Sequence, residues 1–452
     1  MFPVEIIELI INHLAVDDNR SSALVTKDLL ACSLVCKPWV PLLQKHIFAR
    51  PTVFGGTDSK AHLEGGLAYA LSNNPALSRY ITALKYSFSS DENACDTSFS
   101  QFLRLPRLQT LVMCGPVGSR NGISFKEPKA PNHACKFGFR SMLTHYLSFG
   151  SLTALTILWV KDLPFYTILS SPNLERLQLE YCSIEVVGDP PPTTSLKYFR
   201  PRLVTNFELA VFRPGTLLET LSLDGTIDES LIGSGEYDLT KVFPDLKRLY
   251  IAGVAPRRCM GKVLETVPPL EHLTFEITYV KTEPCLDSVK NSIRRCAKSL
   301  KVLNLYLTVT TLCKTVVDSL HDLFLSIKGH NVLDSVEIMI HYRHGYLHPI
   351  YENIGHTIDQ WERFSTMMST DSDMSFPSLK YIYLCIIFDD PCYFVGPTRV
   401  DRAEVIRYRK DFRNALSTLE SHPVIQLRRR VRFINGRHFI FPRDVDLFFK
   451  AN

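Results

Sequence analysis

One short unit recurs along most of this chain: a proline, serine or threonine, then a leucine pattern close to L-x-x-L-x-L. It reads PRLQTLVM at Pro106, SLTALTIL at Ser151, PNLERLQL at Pro172, SLKYF at Ser195, TLLETLSL at Thr216, PDLKRLYI at Pro244, PPLEHLTF at Pro268, SLKVLNL at Ser299 and PSLKYIYL at Pro377. The first leucines are Leu108, Leu152, Leu174, Leu196, Leu218, Leu246, Leu270, Leu300 and Leu379. They include three successive gaps of 22 residues and then gaps of 28, 24 and 30. A looser copy, VLDSVEI, surrounds Leu333. Such a period is long enough for one strand and a return segment per unit, and each unit can bury its apolar face only against its neighbours.

Within each unit, alternation sends every second side chain inward, so Leu177 and Leu179, Leu249 and Ile251, or Leu303 and Leu305 stack on their equivalents. The intervening positions Arg176, Gln178, Glu180, Ser222, Asp224, Arg248, Tyr250, His272, Glu276, Asn304 and Tyr306 then face outward. Arginine and large aromatic side chains dominate interface energies. Arg176, Arg248, Tyr250, His272 and Tyr306 are therefore the candidate target-binding residues, with Tyr250 and Tyr306 expected as neighbours.

The unit resembles the leucine-rich repeat, over about residues 75–395. That resemblance implies a solenoid with a parallel sheet on its concave side. Only LERLQLEYC places an Asn or Cys, here Cys182, at the offset where the family carries one. The solenoid is accordingly expected to be irregular, with longer convex segments such as Glu283–Ser299.

The first fifty residues have a different period. Ile6, Ile7, Leu9, Ile10, Ile11 and Leu14 fall at helical spacings and cover more circumference than one core-facing stripe needs. A polar stretch follows, then a second helix is expected over Asp28–Trp39, ended by Pro38, and a third over Val40–Phe48. Three short helices bury too little surface to stand alone. The string Phe2-Pro3-Val4-Glu5-Ile6-Ile7, with Ile10, Leu14, Leu30, Leu34-Val35-Cys36-Lys37, Trp39 and Phe48, resembles the F-box, whose pattern runs L-P-x-E-[LI]-[LI], I-x-x-x-L, V-C-K-x-W. It departs in Phe2 and in a longer linker, Ala15–Lys27. The resemblance implies docking on a Skp-type adaptor, and through it a cullin, by Pro3, Ile6, Ile10, Leu14, Leu30, Val35, Cys36 and Trp39.

The chain of 452 residues has a formal charge of +5, yet Arg399–Asn452 holds 13 Lys or Arg against 6 Asp or Glu, leaving 38 against 40 elsewhere. A helix is expected over Val400–Leu419, with Arg402, Arg407, Arg409 and Lys410 opposite its apolar stripe. After Arg428-Arg429-Arg430 and Arg432, Asn435-Gly436 signals a hairpin. These features read as a polar cap on the repeats.

No phosphate loop, nucleophile elbow or zinc-helix motif occurs, and His341, His344 and His348 are interrupted by Gly345 and followed by Pro349, which disfavours a metal-binding helix. The 12 cysteines include no C-x-x-C pair, so free thiols are expected. The longest apolar run, Tyr381–Phe388, is far short of a membrane span, and the N-terminus lacks a basic leader.

The expected fold class is α/β, α+β overall: an F-box at 1–50, a linker at 51–74, repeats at 75–395 and a basic cap at 396–452. The expected function is that of the non-catalytic, cofactor-free target-recognition subunit of a Skp–cullin–F-box ubiquitin ligase, in cytoplasm or nucleus, binding a protein target and neither membrane nor nucleic acid. Two alternatives are a repeat scaffold without ubiquitin transfer and a nucleic-acid-associated regulator using the arginine-rich tail.

Overall fold

A computed structural model describes residues 4–15, 22–55, 66–88, 99–116, 123–126, 139–224, 238–254, 266–280, 285–309, 316–342, 354–369, 375–390 and 402–435. The chain divides into two compact units, Met1–Leu218 and Glu219–Asn452. Both are mixed α/β. Among the described residues thirteen parallel strands form the main sheet, six in the first unit and seven in the second, and the first unit also holds two short parallel pairs, Ile123–Ser124 with Val160–Lys161 and Leu163–Pro164 with Ile184–Glu185. Among the described residues no helix is long and apolar enough to cross a membrane.

The first unit opens with helices α1 (Val4–Ala15), α2 (Ser22–Ser33) and α3 (Val40–Ile47), with a 3-10 turn over Lys37–Trp39 before α3. Their shared core is Ile7, Ile11, Leu29 and Leu43, flanked by Leu14, Trp39, Leu42 and Ile47. Helix α2 starts and ends earlier than the sequence suggests. Helix formers after Ser22 extend it backwards. At the other end the Ser33 hydroxyl donates to the Leu30 carbonyl at 2.6 Å, so Leu34, Val35 and Cys36 leave the helix before Pro38 is reached.

The main-sheet strands of this unit are β1 (Thr52–Gly55), β2 (Ala83–Phe88), β3 (Thr110–Cys114), β4 (Ala154–Leu158), β5 (Arg176–Glu180) and β6 (Tyr198–Arg202), each parallel to the next. Register stacks Leu84, Leu111, Leu155, Leu177 and Phe199 in one buried row and Tyr86, Met113, Ile157 and Leu179 in another. Phe199 also meets Phe165, Phe207 and Phe212 at centroid distances of 5.9, 5.3 and 5.3 Å. The residues that follow β4, β5 and β6, namely Trp159, Tyr181 and Leu203, have φ of 62°, 53° and 50°. Cys182, at the repeat's Asn/Cys offset, donates its thiol to the Ile157 carbonyl at 3.3 Å, and burial pushes its pKa up to about 12.

The second unit holds β7 (Thr220–Asp224), β8 (Arg248–Val254), β9 (His272–Val280), β10 (Val302–Val309), β11 (Ser335–Tyr342), β12 (Tyr381–Asp390) and β13 (Gln426–Asn435), again all parallel. Leu221, Leu249, Leu273, Leu303, Val336 and Ile382 form its buried row. The return segments include helices α4 (Cys285–Cys296), α5 (Val316–Leu325), α6 (Ile354–Ser369) and α7 (Arg402–Ala415). The first of these falls within the expected Glu283–Ser299. Trp361 joins Phe364 and Phe412 at 5.5 and 5.4 Å, tying α6 to α7. The run carrying Arg428–Arg430 is a strand parallel to β12, and the second arm of the expected hairpin lies outside the described residues.

One backbone device joins successive turns. In ten turns the carbonyl just after the anchoring apolar residue accepts two N–H groups from the next turn, at 2.8 to 3.1 Å. In the first unit the acceptors are Ala49, Thr82, Gln109, Thr153 and Glu175; in the second they are Glu219, Lys247, Glu271, Lys301 and Asp334. Each strand from β3 to β12 begins two residues after its first leucine. Ile81 and Phe48 occupy the same place in two earlier turns that a leucine pattern does not reveal.

Replacing Phe199 by Ala, which empties a site enclosed by three other rings, is expected to cost about 3 to 5 kcal/mol. Urea unfolding of the full chain, compared with the unchanged protein, measures that loss.

Candidate interaction surfaces

The three helices carry two kinds of apolar side chain. Ile7 and Ile11 point into the core, whereas Ile6, Leu9 and Ile10 on α1 and Leu30, Leu34 and Val35 on and after α2 are exposed, Ile10 at 51% and Leu34 at 88%. Of the residues implicated in adaptor docking, Ile6, Ile10, Leu30 and Val35 belong to this exposed set. Leu14 and Trp39 are half-buried against the core, Cys36 is half-buried before the 3-10 turn, and Pro3 lies outside the described residues. Leu9 and Leu34 extend the exposed set beyond the residues that the resemblance implicates in docking.

On the sheets, the side chains between the leucine rows form polar rows. In the first unit, Arg176 is exposed and its guanidinium lies 5.1 Å from the Tyr198 ring centroid. Arg202 pairs with Glu180 at 3.4 Å. In the second unit, Arg248 and His272 are register partners, and Tyr250 follows on the same face two residues along. Burial, followed by the Arg248 charge, pushes the His272 pKa down, which favours the neutral ring.

Tyr250 and Tyr306 sit on strands separated by β9, and each is hydrogen-bonded to a carboxylate on the next strand. The Tyr250 hydroxyl donates to Glu276 Oε2 at 2.5 Å, and Glu276 is the register partner of Tyr306. The Tyr306 hydroxyl then donates to Glu337 Oε2 at 3.0 Å. A chain of phenols and carboxylates thus crosses β8 to β11.

Tyr306 is only 5% exposed, so it is a buried link in this chain rather than a ring presented to a partner. It clusters with Met339, Cys385 and Ile387 on the outward face, beside Tyr383. Strands β10 to β12 are therefore largely buried on both faces, which accounts for their near-continuous apolar sequences. Alternation alone assigns these positions to the outward face and cannot show what covers them.

Glu337 lies in the loosest copy of the repeat, where the leucine pattern gives no signal for it. Burial holds its carboxyl above the ordinary value, while the Tyr306 hydrogen bond acts in the opposite direction. Burial, and then the Glu337 charge, raises the Tyr306 pKa as well.

Among the described residues no group of His, Cys, Asp and Glu is arranged to hold a metal. His341 lies in β11 and is buried, while His344 and His348 fall outside the described residues. Cys32, Cys36, Cys114, Cys182, Cys296 and Cys385 form no disulfide among the described residues. On the tail, Arg407, Arg409 and Lys410 are exposed; Arg409 donates to the Val431 carbonyl and Arg429 to the Glu420 carboxylate at 2.7 Å.

The class these features define is a mixed α/β protein with a long parallel sheet and an N-terminal helical unit that leaves apolar side chains in water. The sequence matches no family model and no curated protein sequence.

The Glu337 pKa generates a pH prediction. The folded state holds this proton more tightly than the unfolded chain, whose carboxyl titrates near 4.5, so the group's contribution to stability falls as pH rises from there through the raised folded value. Glu337→Gln, which retains an acceptor for Tyr306, is expected to flatten that part of the melting-temperature profile and to be at least as stable as the unchanged protein at neutral pH, by up to about 1 kcal/mol. Thermal melts across the acid-to-neutral range measure both effects.

Proposed function

We propose that this protein is a target-recognition subunit of a Skp–cullin–F-box ubiquitin ligase. The observation that carries the reading is the division of labour in the N-terminal helices, where one set of apolar residues builds the core and a second, Ile6, Ile10, Leu30 and Val35 with Leu9 and Leu34, is left in water. Such exposure is costly for a small unit unless a partner covers it. The F-box resemblance supplies the partner: an adaptor whose apolar surface receives these helices.

The turn-by-turn repetition supports the second half of the proposal, that residues 75–395 form an irregular leucine-rich-repeat solenoid displaying polar rows to a protein target. In this reading the chain performs no chemistry. It holds the target beside a separate transferase and raises its effective concentration there.

A repeat scaffold without ubiquitin transfer would keep the sheet and bind no cullin. A nucleic-acid-associated regulator would use Arg428 and Arg430, which β13 exposes.

The test is co-purification of the full chain with a Skp adaptor and cullin. Ile10→Glu and Val35→Glu change exposed positions and are expected to abolish adaptor capture, a loss of at least about 2 kcal/mol, with unfolding unaltered. Ile11→Ala, a core change, should instead lower stability. Adaptor capture that survives both surface changes would defeat the proposal, and salt-sensitive nucleic-acid recovery without adaptor would favour the regulator reading.

A further inference from the structure

The outward rows of the first unit lose their charge toward β1. Register sets Thr52, Lys85, Val112 and Thr156 in one row across β1 to β4, and Phe54, Ser87, Cys114 and Leu158 in the next. The row before them, from Ala83 to Ala154, is small and uncharged. None of these side chains is enclosed: Thr52, Phe54 and Lys85 are exposed, Phe54 at 72%, and the others are half-buried. The outward face of β10 to β12 differs, since Tyr306, Met339, Cys385 and Ile387 are buried there.

Charge returns at β5, where it is already met. Glu180 ends the Leu158 row and pairs with Arg202 at 3.4 Å, while the Arg202 guanidinium lies 5.6 Å from the Tyr181 centroid. The Trp159 and Tyr181 rings, just after β4 and β5, stack at 4.0 Å with 2° between their planes. Paired charge and stacked rings thus border the neutral rows on their β5 side.

Lys85 is the one charged residue in those neutral rows, and among the described residues no carboxylate pairs with it. Its charge reaches Cys114 in the neighbouring row, whose thiol burial pushes up in pKa and the ammonium pulls down. An ammonium standing among apolar side chains favours an anion brought by a partner, the more so once that partner displaces water.

We infer that the outward face of β1 to β4 docks an extended segment of the target protein, with apolar side chains flanking a single Asp or Glu whose carboxylate meets Lys85. The inference rests on the reading of the sheet as a target-presenting surface. Apolar side chains gathered in water on one face mark interaction sites, and the Phe54 ring supplies the largest contact area here. Four strands spaced at about 4.8 Å span about 14 Å, the reach of four or five extended residues, so one short segment can cross from Phe54 to Leu158 and pass beside Lys85. A second copy of this chain, docked through the same face, would bring no acid to Lys85, because the rows contain none. A nucleic acid would find one cation where its phosphates need a track of them.

Full-length protein is applied to an array of capped ten-residue peptides in which serine alternates with a varied residue, so that the varied side chains share one face of an extended chain. The varied residues are leucine, valine, phenylalanine, glutamate, glutamine and lysine. The strongest binders should carry one glutamate flanked by apolar residues, and glutamine in its place should weaken each at least about five-fold by fluorescence anisotropy. Lys85→Glu, at an exposed position, should exchange the glutamate preference for lysine with the melting temperature unchanged. Phe54→Ser, also exposed, should weaken the selected peptides at least about five-fold. Absence of selection, equal binding of glutamate and glutamine peptides, a glutamate preference that survives Lys85→Glu, or wild-type binding by Phe54→Ser overturns the inference. Self-association that Phe54→Ser abolishes, without peptide selection, also overturns it and assigns the face to a second copy. Adaptor capture by the same preparations separates the two readings: its failure in the unchanged protein defeats the F-box proposal and leaves the peptide result standing.

Discussion

The rest of the structure depends on the doubly accepting carbonyl that follows ten of the anchoring apolar residues. A carbonyl oxygen has two lone pairs, and here both are occupied by consecutive N–H groups of the next turn, five times in each unit. That junction sets the parallel register. Once it is set, alternation leaves no freedom: leucines from successive turns must fall into buried rows, and the residues between them must face the other way. The Lys–acid pairs beside these junctions, Lys197–Glu175, Lys301–Glu271 and Lys380–Asp334, follow from the same register. They are exposed, and contribute far less than the junction itself.

This dependence explains what was legible in the sequence. Leucine is the residue that fits the inward position behind the junction, so the positions of Leu174, Leu196 and Leu246 forecast strand starts to within two residues. Where another apolar residue fills the same site, as Ile81 does, the backbone junction persists while the written pattern disappears. The strand at Gln426–Asn435 was legible only as the first arm of a hairpin on a solvated cap, whereas its backbone extends the parallel ladder of β12. A pattern of side chains reports a junction only when the side chains are the customary ones.

The candidate sites were legible to a lesser degree because they depend on two further properties, cover and backbone conformation. Alternation placed Tyr250 and Tyr306 correctly on the outward face but could not reveal that one is half-open and the other enclosed with Met339, Cys385 and Ile387. The left-handed residues Trp159 and Tyr181 were equally hidden. Glycine and asparagine are the usual signals of that conformation, and neither stands at these positions. Their stacking is a consequence of the shared turn, repeated at a spacing of 22 residues, and no local motif encodes it.

The helices and the sheet faces then solve opposite problems. In the N-terminal helices the core is small, and apolar residues such as Leu34 and Ile10 remain outside because three short helices offer too few inward positions. On the outward face of the second unit, polar groups are drawn into partly dry surroundings, and the structure compensates by pairing them in sequence: Tyr250 with Glu276, Tyr306 with Glu337. Each phenol supplies the donor that a half-buried carboxylate requires, and each carboxylate the acceptor that a buried hydroxyl requires. A phenol brings no charge to balance the anion, however, so burial still raises the proton affinity of Glu337. The first unit meets a similar polar face with arginine, which brings charge but must be held flat, and it uses the rings of Tyr198 and Tyr181 for that purpose. Two chemically different surfaces thus arise from one repeated junction, because the junction fixes only where side chains point and leaves their chemistry to vary from turn to turn.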